Sequence, residues 1–169
     1  MIGEGIAHDT HLRVRYGEVD RMGVVYHGHY LVYFEQGRTE LLRSLGATYR
    51  QVEEEGTLLF VVETGLNFHR PAHYDDELTV RTRLASVRGV RLRFEYEVLR
   101  GDRRLTTGFT VLAACDADGR PRRIPERLAR LTASAEGSQT PRKVRAARAV
   151  QGEALGDAGE GPARGDACA

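Results

Sequence analysis

Apolar and polar side chains alternate over residues 12–16, with Leu12, Val14 and Tyr16 set against Arg13 and Arg15. A period of two predicts a half-buried strand. The period changes after a loop over residues 17–27. From His29 to Leu45 the apolar positions Tyr30, Phe34, Leu41 and Leu45 recur at steps of three or four or their sums, which predicts a helix, and Gly46 supplies its stop. Gly37 lies inside that stripe, where glycine costs roughly 1 kcal/mol relative to alanine. Close approach of the helix to another backbone, such as a sheet wrapped around it, accounts for this. Thr48 is an N-cap for a second, short helix that ends at Gly56.

Everything after that helix reads as strand. Residues 58–62 form a near-continuous apolar run, extended through Leu66 and Phe68 until Arg70-Pro71 breaks it. Residues 78–87 alternate, Arg88-Gly89 turns the chain, and Val90, Leu92, Phe94, Tyr96 and Val98 then share one face. Gly101-Asp102 signals a hairpin into a last long strand over residues 105–115, and a helical turn is expected after Pro125. One strand, one long helix and a run of antiparallel strands predict an α+β architecture in which the sheet curls around a buried helix. This domain is expected over residues 11–133. Residues 134–169 are rich in Ala, Gly, Arg and Glu and poor in large apolar groups, so a disordered tail is expected there.

Charge and cysteine usage narrow the function classes. A formal net charge of +1 over 169 residues favours neither a nucleic-acid binder nor a membrane-surface protein. No apolar run approaches the length of a membrane span, and residues 1–10 show no secretion signal. The two cysteines, Cys115 in an apolar run and Cys168 near the end, fit a reducing, cytoplasmic setting. Cys115 shares a strand face with Val111 and Ala113, which suits packing better than nucleophilic duty.

The chemistry-bearing segment is Asp20-Arg-Met-Gly-Val-Val-Tyr-His27. It places a carboxylate one short loop upstream of the helix start. Unpaired amides and partial positive charge at a helix N-terminus can polarise a carbonyl while the carboxylate activates water. Taken alone, Asp20 reads first as a loop aspartate that closes its own turn, which is what most loop aspartates do. Glu35 and Arg38 are spaced as an i,i+3 ion pair. His27 and His29 form an H-x-H, with His69 and His73 elsewhere, but no companion motif completes a metal site, so no metal is expected.

The run Arg13-Val-Arg-Tyr16, then Asp20-x-x-Gly23-Val-Val-Tyr-His27, Tyr30 and Glu35-x-x-Arg38-Thr-Glu-Leu-Leu42 resembles the hotdog-fold acyl-CoA thioesterases of the YbgC/FadM type, related to 4-hydroxybenzoyl-CoA thioesterase. Pro71-Ala72, Asp75-Asp76, Ser86-Val-Arg-Gly89 and Ile124-Pro125 also match. The resemblance implies a hotdog fold, an antiparallel sheet wrapped around one long central helix. It implies hydrolysis of acyl-CoA to free acid and coenzyme A without a cofactor. Asp20 would be the catalytic carboxylate, as general base or as nucleophile. The backbone N–H near His27 would stabilise the oxyanion, with His27 part of the site.

Tyr26 and Tyr30 would line the acyl pocket, and Ser86 and Arg88 would lie near the nucleotide of coenzyme A. Glu35 is the alternative catalyst, because other hotdog lineages carry the carboxylate on this helix. Subunits would pair edge to edge, as a homodimer or homotetramer. Gly28-His29 departs from the family, which usually has a small residue and then Asn or Ser, and would tune the pocket mouth. Two other functions share the fold: hydrolysis of acyl groups on acyl carrier protein, and non-catalytic binding of acyl-CoA.

Overall fold

The computed structural model describes residues 6–133, and the expected tail over residues 134–169 lies outside them. Strand β1 (Ala7–Arg13) leads through one 3-10 turn (Tyr16–Glu18) and the Asp20 loop to helix α1 (His29–Ser44). Helix α2 (Tyr49–Glu54) follows, then strands β2 (Leu58–Phe68), β3 (Glu77–Arg88), β4 (Arg91–Arg100) and β5 (Arg103–Cys115), and helix α3 (Glu126–Ala133). The strands form one sheet in the order β1-β3-β4-β5-β2, antiparallel at every pairing. This is the α+β arrangement expected, with α1 laid across one face.

The α1 stripe supplies Tyr30, Tyr33, Phe34, Leu41 and Leu42 to the core, where they meet Val80, Leu84, Leu92, Phe94, Tyr96 and Leu112 of the sheet. Phe34 stacks on Tyr96 with ring centroids 4.1 Å apart and planes within 3°. Gly37 is where helix and sheet come closest. A Cβ built there would run into Thr82 Oγ1 and lie 3.0 Å from Val80 Cγ1. Thr48 caps α2 as its sequence suggests, accepting the Gln51 amide while the Gln51 side chain returns to the Thr48 amide.

The first strand differs from its expected position. Residues 12–16 were the expected strand, but pairing with β3 runs from Ala7 to Arg13 and the chain then turns, leaving Tyr16 79% exposed against Tyr74. The buried position at the middle of β1 is Thr10, so the strand carries little apolar alternation to reveal it. Cys115 is buried on β5, in register with Leu58 of β2.

Candidate active site

The Asp20 loop is fixed by its own backbone. Gly23, at φ 76°, lets the chain reverse so that its amide reaches Asp20 O at 2.9 Å, and the Asp20 amide reaches Val24 O at 2.9 Å. Val25 then donates to Ala72 O at 2.9 Å, and Tyr26 donates to Glu18 O at 2.9 Å. The loop is thereby stitched to the 3-10 turn on one side and to the β2–β3 connection on the other.

Glu18 ties that arrangement to α1. Its side chain is 7% exposed and accepts the Arg15 amide at 2.8 Å, Arg15 Nε at 3.0 Å and the Tyr33 hydroxyl at 2.9 Å. Burial by itself would raise this carboxyl. The Arg15 amide, the Tyr33 hydroxyl and the Arg15 charge outweigh it and hold Glu18 below its ordinary value. Tyr33 moves the other way, raised by burial and by the neighbouring Glu18 carboxylate.

Asp20 is half-buried, and its Oδ1 accepts the Met22 amide at 2.8 Å. It therefore does close its own turn, with one oxygen; Oδ2 has no partner among the described residues. Helix α1 begins opposite, behind Gly28. No side chain caps that end, no acidic residue sits in the first turn, and the amides of His27 and Gly28 donate to nothing among the described residues. Those orphan N–H groups carry the positive end of a 16-residue helix.

A cavity of about 330 Å³ lies here, lined by Asp20, Met22, Val24, Val25, His27 and Tyr30 from the loop and helix. Phe68, His69, Arg70 and Pro71 close its other wall. The buried Tyr30 accepts the Ala72 amide at 3.3 Å, and its ring meets Phe68 edge-on at 5.4 Å. Burial raises the Tyr30 phenol, an effect the Ala72 amide only partly offsets, so this residue is a neutral wall. His69 is held by its amide on Leu105 O at 2.8 Å and by Nε2 on Thr107 Oγ1 at 3.0 Å.

Of the residues singled out from the sequence, Asp20, His27 and Tyr30 converge on this cavity. Tyr26 is set beside it, half-exposed, its ring 4.2 Å from that of His27. Glu35 points to solvent and pairs with the buried Arg38 at 3.2 Å, in the i,i+3 arrangement its spacing suggested, and does not line the cavity. Ser86 and Arg88 sit at the far end of β3, nine or more residues beyond Glu77, roughly 30 Å along the strand. Glu18 and the Phe68–Pro71 wall were not anticipated. The Arg-x-x-Glu spacing at residues 15–18 was the one available hint for Glu18, and the Pro71-Ala72 match was the one mark on the wall, with no site role attached to it. Among the described residues no group of three or more His, Cys, Asp or Glu side chains is placed to hold a metal.

Residues 14–132 match the model of the thioesterase-like superfamily. The chain belongs to that family. It is 41% identical over 105 residues to the acyl-CoA thioesterase YbgC of Haemophilus influenzae, covering 62% of this chain and 76% of the relative. The Bacillus subtilis protein YneP is 38% identical over 87 residues, which span 52% of this chain and 63% of that protein. The crystal structure of a DHNA-CoA thioesterase from Staphylococcus aureus superposes with a TM-score of 0.73 at 28% identity, covering 79% of this chain and 97% of that one. Hotdog fold, family and reaction class thus agree with the resemblance read from the sequence, and this thioesterase is a thioester hydrolase.

Proposed function

We propose that this thioesterase cleaves acyl-CoA at the Asp20 cavity in the cytoplasm. The observation that carries the reading is the pairing of a half-buried carboxylate with the uncapped start of α1 in one cavity with largely apolar walls. The thioester carbonyl oxygen accepts the His27 amide, with the Gly28 amide beside it. Asp20 then takes a proton from water as the hydroxide adds to the carbonyl carbon. The tetrahedral intermediate collapses with cleavage of the C–S bond, and the thiolate of coenzyme A leaves. A thiol of pKa near 8.5 leaves with little help from an acid, so a carboxylate and an oxyanion donor suffice. One such donor is worth about 2.7–4 kcal/mol in the transition state.

The nucleophilic alternative, in which Asp20 forms a mixed anhydride that water opens, uses the same atoms. Single turnover in ¹⁸O-water tests this route: label in Asp20 shows an anhydride opened by water at the Asp20 carboxyl carbon, whereas label confined to the released acid fits the base or an anhydride opened at the acyl carbon. Asp20→Asn is expected to lower kcat about 10²–10⁴-fold while binding of a non-hydrolysable acyl-CoA analogue persists. Wild-type rates in that variant, with Glu35→Gln inactive, would move the chemistry onto the helix. A thioesterase acting on acyl carrier protein would instead show turnover only with the protein-bound acyl donor.

The working form in this reading is a homodimer, paired further as a homotetramer, joined through β2. That edge strand exposes Phe60, Val61 and Val62, about half of each in solvent, which an edge seldom does unless it is covered. Ser86 and Arg88 are too far along β3 to serve the cavity of their own chain, so in this assembly they serve coenzyme A bound at a neighbouring subunit.

A further inference from the structure

Arg70 is the one arginine or lysine among the residues lining the Asp20 cavity. Its backbone is fixed, with the amide on Leu105 O at 3.0 Å and Pro71 following. Its side chain is exposed, at the open side of the cavity lining, and has no carboxylate, hydroxyl or aromatic partner among the described residues. Most arginines on this sheet are engaged, such as Arg81 with Asp9, Arg83 with Glu95 and Arg100 with Asp76.

Building on the acyl-CoA reading above, we propose that Arg70 selects acyl groups that end in a carboxylate, so that the preferred substrates are monothioesters of dicarboxylic acids. The cavity already holds Asp20, which repels an anionic acyl group; an unpaired guanidinium from the same lining offsets that penalty and offers a fork that fits a carboxylate. Met22, Val24, Val25, Phe68 and Pro71 supply apolar surface for the stem between thioester and carboxylate. Size favours an acyl carboxylate over the coenzyme phosphates as the bound anion. Taken as a sphere, a 330 Å³ cavity is roughly 9 Å across. The pantetheine arm is about as long as four or five extended residues, roughly 15 Å, and holds the phosphates farther from Asp20 than that.

The test compares glutaryl-CoA with pentanoyl-CoA, which differ only at the chain end, in the full-length protein and in Arg70→Gln and Arg70→Lys. The ratio of kcat/KM for glutaryl-CoA over pentanoyl-CoA is expected to fall at least tenfold in Arg70→Gln and to be largely kept in Arg70→Lys. In the unmodified protein, free glutarate should inhibit at least tenfold better than pentanoate, a readout independent of any variant. An unchanged ratio, or equal inhibition by the two acids, overturns the proposal. If Arg70→Gln instead weakens both CoA esters equally but not the N-acetylcysteamine thioesters, the anion is a coenzyme phosphate and the proposal fails. Asp20→Asn is run alongside. Turnover of pentanoyl-CoA that depends on Asp20 keeps the thioesterase reading whatever the ratio does, whereas no turnover of either ester sinks both.

Discussion

Two carboxylates two residues apart, Glu18 and Asp20, have divided the work of this loop. Glu18 is buried and fully engaged, and its stabilisation is electrostatic. Its folded-state pKa is depressed, so its contribution is present above the unfolded value and is lost as pH falls through the folded one. Glu18→Gln should therefore lower Tm at pH 7, and the gap to the wild type should narrow as the pH is taken from 5 towards 3. A gap independent of pH would mean that packing, not charge, makes the contribution. Asp20 keeps one oxygen unpaired among the described residues, the one the proposed mechanism uses. In the proposed mechanism His27 contributes its amide, which survives truncation of the exposed imidazole. His27→Ala is expected to cost less than about tenfold in kcat, against about 10²–10⁴-fold for removal of the carboxylate; equal losses would assign the imidazole a direct role.

At the scale of elements, α1 was legible because its stripe keeps helical spacing from Tyr30 to Leu42 and its glycine is placed for contact. Gly37→Ala tests that contact. Helix propensity alone favours alanine by about 1 kcal/mol, yet the new methyl meets Thr82 and Val80, and overpacking costs about 1–3 kcal/mol. A lower Tm is expected, partly restored by adding Thr82→Ala; a higher Tm would show that the helix stands off the sheet. Strand β1 was placed too late because Thr10 and His8 stand where apolar residues would have marked its inner face. The run at Phe60–Val62 was read as strand and is strand, but its exposure was not legible. A continuous apolar stretch ordinarily marks a strand buried on both faces, whereas β2 is an exposed edge. The motif on the loop and helix pointed to Asp20, His27 and Tyr30. It could not point to Phe68–Pro71, which reach the cavity only because β2 pairs with β5 some forty residues away.

For the whole molecule, the two free edges of the sheet are unlike each other. Strand β1 presents His8, Asp9, His11 and Arg13, with Asp9 held by a two-pronged contact from Arg81 at 2.7 and 2.9 Å. Charge of this kind discourages pairing with another strand. Strand β2 carries the apolar residues, and Val62 bulges from the ladder between Val61 and Glu63. Val62→Arg is expected to shift the protein to monomer on gel filtration with its helix and strand content intact; an unchanged oligomer would place the interface elsewhere. The last residue of β2 is Phe68, and His69, Arg70 and Pro71 run directly on from it into the Asp20 cavity. The proposed contact between subunits and the proposed substrate wall would thereby be written on one continuous ribbon of chain. Diluting the enzyme should raise KM before it melts anything, with the half-effect falling at the protein concentration where subunits part.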